Sequence, residues 1–188
     1  MNEQGQRDIL ITFARLFRRF KVPYLLTGSF AVSSYGYPRA THDIDFVLEI
    51  EESAKKQLIR AISSLPSTYV QDITELNTER LTFYTIYHTE TTTKVDLWFI
   101  ADHEFEANVK RKRYLTIDEL EIPLVSPEDL ILKKLEWCKE VMSERHMRDC
   151  VGMWKVQKGK LDEAYLFEQA KTLGVEKLLK EVIETKDY

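Results

Sequence analysis

Two aspartates one residue apart, Asp43 and Asp45, carry the side chains of this 188-residue sequence that are best suited to metal-assisted chemistry. The stretch around them reads as a strand, and alternate residues of a strand point to the same face. Both carboxylates therefore share one face, while Ile44 and Phe46 take the opposite, apolar face. Paired carboxylates can hold Mg²⁺, which prefers oxygen ligands. Solvated strand faces also carry aspartates, so the pair alone does not establish a metal site.

A glycine followed by a serine, Gly28-Ser29, stands at the end of a short apolar run and at the start of a short helical segment. Glycine lets a backbone approach a phosphate closely, and a helix N-terminus presents unpaired N–H groups to an anion. A serine that caps a helix after a tight turn explains the same two residues. Phosphate binding and simple capping both remain open for this pair.

A third aspartate, Asp96, stands in a later strand, where its apolar neighbours Val95 and Leu97 point to the opposite face. Aspartate is unfavourable in a strand near a core unless it is paired or bound to a metal. One interpretation is an exposed strand residue that forms an ion pair with Lys94. The other is that Asp96 completes a site of three carboxylates on neighbouring strands.

A lysine, Lys134, falls inside the apolar stripe of a predicted helix. At roughly 100° per residue, Lys134 lies about 40° from Leu130 on the helical wheel, whereas Lys133 points away. An unpaired ammonium is costly to bury, so Lys134 needs an anionic partner unless its long side chain reaches water. Three carboxylates, a glycine turn and this lysine are together the parts of a phosphoryl-transfer site. In such a site, positioning of the reactants and neutralisation of charge lower the activation barrier.

The order Gly28-Ser29, Asp43-Ile44-Asp45 and Asp96 resembles the signature of the nucleotidyltransferase superfamily related to DNA polymerase beta. In that superfamily a Gly-Ser pair, a spacer and Asp-x-Asp are followed by a third aspartate on a later strand. The resemblance covers residues 24–173. It implies a nucleotidyltransferase fold and a nucleoside triphosphate as substrate.

A narrower similarity is to the nucleotidyltransferases of abortive-infection toxin systems and their uncharacterised relatives. It rests on Thr41, on Lys134-Leu135 in a helix that starts with Pro-Glu-Asp, and on Arg148-Asp149. The helical wheel places Asp149 outside the apolar stripe of its own helix, where Arg145 could hold it as a surface pair.

The resemblance assigns a role to each matching residue. It implies that the catalytic residues, which also bind two Mg²⁺ ions, are Asp43, Asp45 and Asp96. It implies that the nucleotide-binding residues are Gly28, Ser29, Thr41, Lys134 and Asp149, with Lys134 on the phosphates.

The activity implied by the resemblance is Mg²⁺-dependent transfer of a nucleoside monophosphate from a triphosphate to an acceptor hydroxyl. The acceptor implied is tRNA, a protein or a small molecule. If the chain is the toxin of a toxin-antitoxin or abortive-infection system, an antitoxin is a further partner. One alternative is a non-catalytic nucleotide-binding or partner-binding protein that keeps the fold. Another is a metal-dependent phosphohydrolase that uses water as the nucleophile.

The elements that must position these residues follow from hydrophobic periodicity and turn signals. A hairpin with a turn at residues 89–93 is expected in the middle of the chain. Strands are predicted at residues 24–27, 43–50, 81–88, 94–100, 114–117 and 121–124, and helices at 8–20, 30–35, 52–64, 127–142, 144–155, 162–173 and 175–184.

This pattern predicts an α+β fold, with a mixed twisted sheet flanked by helices and followed by a small C-terminal helical region. We expect a nucleotidyltransferase domain at residues 1–124 and a helical region at residues 125–188 packed on it. Ser126 should cap the first C-terminal helix, with Pro127 as its first residue. Gly174 should separate the last two helices.

Composition narrows the function classes. A net charge of −4 argues against a protein that coats nucleic acid by bulk electrostatics, although residues 110–113 form one basic run. No apolar run approaches the roughly 20 residues of a membrane span, so we expect a cytoplasmic protein without membrane contact. We expect Cys138 and Cys150 to be reduced and packed in the interior. We expect core positions for the three tryptophans, Trp98, Trp137 and Trp154. Strand alternation turns His42 to the face opposite Asp43.

Overall fold

The computed structural model describes residues 3–66, 68–71, 82–100 and 102–185. None of the helices within these ranges combines the length and apolar character needed to cross a bilayer. The described part contains eight helices and seven strands in the order α1 (Glu3–Arg19), β1 (Tyr24–Thr27), α2 (Gly28–Tyr35), β2 (Asp43–Leu48), α3 (Glu52–Ser63), β3 (Tyr69–Gln71), β4 (Phe83–His88), β5 (Thr93–Phe99), α4 (Asp102–Arg111), β6 (Arg113–Ile117), β7 (Leu120–Leu124), α5 (Pro127–Glu140), α6 (Glu144–Gln157), α7 (Glu163–Leu173) and α8 (Glu176–Glu184).

All seven strands form one mixed sheet in the order β3-β4-β5-β2-β1-β7-β6. Strand β2 runs parallel to β5 and antiparallel to β1, and β1 runs parallel to β7. Strands β4 and β5 pair as the predicted antiparallel hairpin. The prediction of an α+β fold with a mixed sheet flanked by helices is confirmed.

Most element boundaries agree with the sequence to within two residues. Helix α1 is an exception, because it begins at Glu3 rather than residue 8. Its added first turn is polar, so apolar periodicity gives no sign of it. Position 81, predicted as the start of β4, lies outside the described residues.

Two elements were not predicted. Strand β3 has only three residues, which is too short for an alternation pattern. Helix α4 contains few apolar residues, and the buried Phe105 is its one fully enclosed large side chain among those described. An amphipathic stripe was therefore not visible in the sequence.

The burial of β2 alternates as its sequence predicts. Its apolar face joins an aromatic cluster in which the rings of Phe17 and Phe46 lie 5.0 Å apart and nearly perpendicular. Tyr24 lies 5.0 Å from Phe17 in the same cluster. Fully buried residues on one face of β2 are Ile44, Phe46 and Leu48, and partly exposed residues on the other are Asp43, Asp45 and Val47.

The chain divides into two compact units, which are described separately. The first unit comprises Met1–Phe30 and Thr41–Leu124 and contains the sheet. The second comprises Ala31–Ala40 and Val125–Tyr188 and contains helices α5 to α8. The boundary between these units follows residue 124, but the second unit also takes a ten-residue segment from early in the sequence.

Helix ends in the second unit carry the predicted signals. Ser126 Oγ accepts a hydrogen bond from the backbone N–H of Asp129 at 3.1 Å, and Pro127 is the first residue of α5. Gly174 ends α7 in the left-handed conformation, with φ of 67°. The capping predictions for these helices are confirmed.

Both cysteines are buried and free, as predicted. Burial raises the pKa of the Cys150 thiol well above its ordinary value, an effect that the positive charge of Lys134 only partly offsets. The thiol therefore stays protonated at neutral pH.

Replacing Phe46 by alanine tests the aromatic core. The fully buried ring packs against Phe13, Phe17 and Tyr24, so its loss should lower the free energy of unfolding by about 3–5 kcal/mol. Urea unfolding followed by circular dichroism measures this change. Phe167→Ala, at a ring that is 47% exposed, is the control and should cost far less. Similar losses for both variants would contradict the core position of Phe46.

Candidate active site

The end of β1 and the start of α2 bring Gly28 against Asp45. Thr27 pairs with Asp45 across the antiparallel β1–β2 ladder, and Gly28 follows with φ of +63°. A Cβ atom at position 28 would overlap the Asp45 carboxylate. Glycine is therefore required here both by its backbone conformation and by the space that the carboxylate fills.

Two hydroxyl groups tie α2 to the start of β2. Ser29 is the second residue of α2, and its Oγ lies 2.8 Å from Thr41 Oγ1. Thr41 Oγ1 accepts a hydrogen bond from the backbone N–H of Asp43 at 3.1 Å. The three predicted nucleotide-binding residues of the first unit thus lie together beside the Asp-x-Asp pair.

The parallel register of β2 and β5 brings the three carboxylates to one face of the sheet. Asp43 pairs with Lys94, and Asp45 pairs with Asp96. Asp96 is buried, and its Oδ1 accepts a hydrogen bond from Thr85 Oγ1 at 2.9 Å. The structure therefore brings Asp43, Asp45 and Asp96 together as the sequence suggested.

Lys94 lies within this carboxylate cluster. Its Nζ is 2.7 Å from Asp96 Oδ2 and 3.8 Å from Asp43 Oδ1. Partial burial lowers the pKa of Lys94, but the hydrogen bond that Lys94 donates to Asp96 and the negative charges of Asp96, Asp43 and Asp45 outweigh this effect and raise it. The cluster is thus an environment that favours a cation. The predicted ion pair between Asp96 and Lys94 is present, but the interpretation of Asp96 as an exposed residue was wrong, because it is 4% exposed and belongs to the carboxylate cluster.

The donor atoms of this cluster fit a hard divalent cation. Its side chains offer carboxylate oxygens, the ligands that Mg²⁺ takes in proteins, and they already surround a positive charge. Among the described residues, however, no three His, Cys, Asp or Glu side chains are arranged closely enough to hold one metal ion. The chemistry of the site fits Mg²⁺, while the present arrangement accommodates an ammonium group.

In the second unit, Lys134 and Asp149 form a buried ion pair. Lys134 is 4% exposed, as its place in the apolar stripe predicts, and its Nζ lies 2.9 Å from Asp149 Oδ2. Arg39 adds a bidentate contact, with Nε 2.9 Å from Asp149 Oδ1 and Nη2 3.1 Å from Oδ2. Lys133 is exposed and pairs with Glu136.

The predicted surface position of Asp149 and its pairing with Arg145 were wrong. Asp149 is only 6% exposed, because α6 buries a wider face than the stripe read from its sequence. Burial raises the pKa of Asp149, but the hydrogen bond and charge of Arg39 and the charge of Lys134 outweigh this and lower it. Arg39 was missed, since it lies 110 residues away in a loop without any local pattern.

The predicted burial of the three tryptophans was right only for Trp154, which is 6% exposed. Trp98 is 42% exposed on the strand face opposite the buried Val95 and Leu97, and its ring centroid lies 4.3 Å from that of Phe83. Trp137 is 41% exposed on α5. His42 precedes β2, is exposed, and its Nδ1 lies 3.5 Å from Thr92 Oγ1.

A sequence profile described as "Nucleotidyl transferase AbiEii toxin, Type IV TA system" matches residues 14–181. No curated protein sequence matches significantly. The profile match covers both units of the chain.

Solved structures share the fold at low sequence identity. An antigenic nucleotidyltransferase-like protein from Paracoccidioides brasiliensis has a TM-score of 0.60 at 16% identity, covering 96% of this chain and 94% of its own. The lincosamide antibiotic adenylyltransferase LnuA, bound to lincomycin, has a TM-score of 0.56 at 17% identity, covering 78% and 95%. A nucleotidyltransferase structure from Thermotoga maritima has a TM-score of 0.53 at 19% identity, covering 74% and 89%. At these identities the likeness concerns the fold.

Replacing Gly28 by alanine tests the close approach of the Asp45 carboxylate. Gly159→Ala is a matched control, because Gly159 also has a left-handed φ, of +78°, but has open space where a Cβ atom would lie. Both variants should bear a backbone cost of about 1–2 kcal/mol in the free energy of unfolding. Only Gly28→Ala should lose more than that, which urea unfolding would measure. Equal losses would mean that Asp45 moves away without cost.

Replacing Asp149 by asparagine removes the negative charge that Lys134 and Arg39 both contact. We expect a loss of about 3–5 kcal/mol in the free energy of unfolding at pH 7. Because the folded state lowers the pKa of Asp149, its contribution is complete above the ordinary value of about 3.9 and is lost as the pH falls through the lower folded value.

The difference in stability between wild type and Asp149→Asn should therefore shrink as the pH falls below about 4. Urea unfolding at pH 7 and at steps down to pH 3 measures it. Glu140→Gln, at an exposed position of α5, is the control and should show neither the loss nor this pH dependence. A difference that stays constant down to pH 3 would contradict the assignment.

Proposed function

Because the chain belongs to the AbiEii nucleotidyltransferase toxin family, we propose that it transfers a nucleoside monophosphate from a nucleoside triphosphate to an acceptor hydroxyl with the help of Mg²⁺. The observation that carries this proposal is the convergence of Asp43, Asp45 and Asp96 beside Gly28 on one sheet face. Three carboxylates near a glycine turn at a helix start suit phosphoryl transfer.

In the proposed reaction the acceptor oxygen bonds to the α-phosphorus, the bond from that phosphorus to the bridging oxygen breaks, and pyrophosphate leaves. The side chains of Asp43, Asp45 and Asp96 would hold Mg²⁺, which neutralises the charge that develops on the phosphate oxygens. We also propose Asp96, which pairs with Asp45 across the parallel β2–β5 ladder, as the group that takes the proton of the acceptor hydroxyl.

Phosphate binding is proposed for the start of α2. Gly28 lets the backbone approach closely, and Ser29 and Thr41 present linked hydroxyl groups beside Asp43. In the second unit, Lys134 and Asp149 stay proposed nucleotide-binding residues. With Arg39 they form a cluster of two cations and one anion, and this excess of positive charge supports an anionic ligand.

We propose the acceptor classes that nucleotidyltransferases of this fold suggest. LnuA acts on a lincosamide antibiotic, which supports a small molecule as one class. A tRNA or a protein hydroxyl are the others. The family also supports a role as a toxin with an antitoxin as partner, and dependence on a nucleoside triphosphate agrees with a cytoplasmic location.

Replacing Asp45 by asparagine tests the reaction. We expect transfer of label from an α-³²P nucleoside triphosphate, measured with pyrophosphate release across RNA, protein and small-molecule acceptors, to fall at least about 100-fold, the scale of losing one charge-stabilising group. Asp118→Asn is the control, since Asp118 pairs with Arg7 at an exposed position, and it should leave transfer unchanged.

Three results would contradict the proposal. Unaltered transfer of label by Asp45→Asn would show that the carboxylate cluster does not carry out the reaction. Nucleotide binding without turnover in any acceptor class would indicate the non-catalytic alternative. Release of inorganic phosphate without incorporation of label would indicate a phosphohydrolase.

A further inference from the structure

Lys94 occupies a position that the proposed reaction does not explain. Strand alternation puts it on the same face as Asp96, and the parallel register places it opposite Asp43. Its Nζ lies 2.7 Å from Asp96 and 3.8 Å from Asp43, so one ammonium group spans carboxylates on two neighbouring strands.

Both oxygens of the Asp96 carboxylate have a donor. Oδ1 accepts a hydrogen bond from Thr85 Oγ1 at 2.9 Å, and Oδ2 lies 2.7 Å from Lys94 Nζ. Each oxygen keeps a second lone pair, but a cation that binds beside Oδ2 lies close to the Lys94 ammonium group and is repelled by its charge. This repulsion lowers the affinity of the cluster for a metal.

The two donors differ in their freedom to leave. Thr85 is 6% exposed and has a short, branched side chain, which is stiff. The Lys94 side chain is 34% exposed and has a four-carbon stem that can swing toward water. Lys94 is thus the donor that can move away from Asp96.

The negative charge of the carboxylate cluster explains why a lysine is favourable at position 94. Three carboxylates on adjacent strands repel one another, and a cation among them offsets this repulsion. A divalent ion offsets it more strongly than one ammonium group. The same carboxylates therefore attract both cations, and a divalent ion held by Asp96 and Asp43 would be repelled by the Lys94 ammonium group.

We propose that Lys94 is a built-in counter-ion, which holds the three carboxylates in place in the metal-free protein and yields its position on Asp96 to a divalent cation. The inference rests on the metal site of the proposed function. It makes Lys94 a positioning residue whose ammonium group competes with Mg²⁺.

Calorimetric titration of the full chain with Mg²⁺ alone, without nucleotide, tests the competition. Lys94→Met should bind Mg²⁺ about two- to fivefold more tightly than wild type, the change expected when one competing ion pair is lost. Lys94→Arg keeps the charge and should not gain affinity. Lys133→Met, at an exposed lysine of α5, is the matched control and should bind Mg²⁺ as wild type does.

Thermal unfolding provides a second readout. Without Mg²⁺, Lys94→Met should unfold at a lower temperature than wild type, and saturating Mg²⁺ should close this gap. Should Lys94→Met not fold, Lys94→Gln carries the same test. Unchanged or weaker Mg²⁺ binding by the neutral variants would overturn the inference, as would weaker nucleotide binding with unchanged Mg²⁺ affinity, which would make Lys94 a phosphate ligand.

The outcomes separate this inference from the proposed function. If Asp45→Asn leaves Mg²⁺ binding and nucleotide transfer intact, the proposed carboxylate site fails, and the inference with it. If Asp45→Asn removes both while the Lys94 variants behave as wild type, only the role of Lys94 fails.

Discussion

The close contact between the Gly28 backbone and the Asp45 carboxylate is the constraint on which the first unit's site depends. It needs a residue without a side chain in the left-handed conformation, at the junction where β1 ends and α2 begins. The β1–β2 register then fixes Asp45 opposite Thr27, and the β2–β5 register fixes Asp96 beside Asp45. Gly28 thus lets the start of the helix lie against the Asp45 carboxylate, while the strand registers place the carboxylates on one face.

Each unit contains a cluster of charged side chains described above, and the two clusters are built differently. In the first unit, side chains from neighbouring strands meet because sheet register brings them together. In the second unit, Arg39, Lys134 and Asp149 come from a loop and two helices, and they meet only when the tertiary structure has formed. A buried cluster of this kind adds little net stability when complete, but it penalises the loss of any one member. It therefore specifies how the loop packs on α5 and α6.

Much of the fold and part of the site could be predicted because their signals are local. Alternation in β2 separated Ile44 and Phe46 from the two aspartates, and helical periodicity identified Lys134 as a buried lysine. What could not be predicted depends on distant partners. The Arg39–Asp149 pair joins residues 110 positions apart, and the polar helix α4 lacks the apolar stripe that periodicity detects. Trp98 was assigned to the core by its residue type. Strand alternation already placed it on the face of Asp96, opposite the apolar face of Val95 and Leu97.

The net charge of −4 conceals two local imbalances of opposite sign. The carboxylate cluster of the first unit has three acidic groups and one lysine, whereas the second unit's cluster has two basic groups and one aspartate. Neither cluster is neutral by itself, so each favours a ligand of the opposite charge. A cation suits the first cluster and an anion suits the second, each within its own unit. These two preferences depend on which side chains the fold brings together, since neither the Arg39–Asp149 contact nor the Asp45–Asp96 pairing joins residues that are close in the sequence.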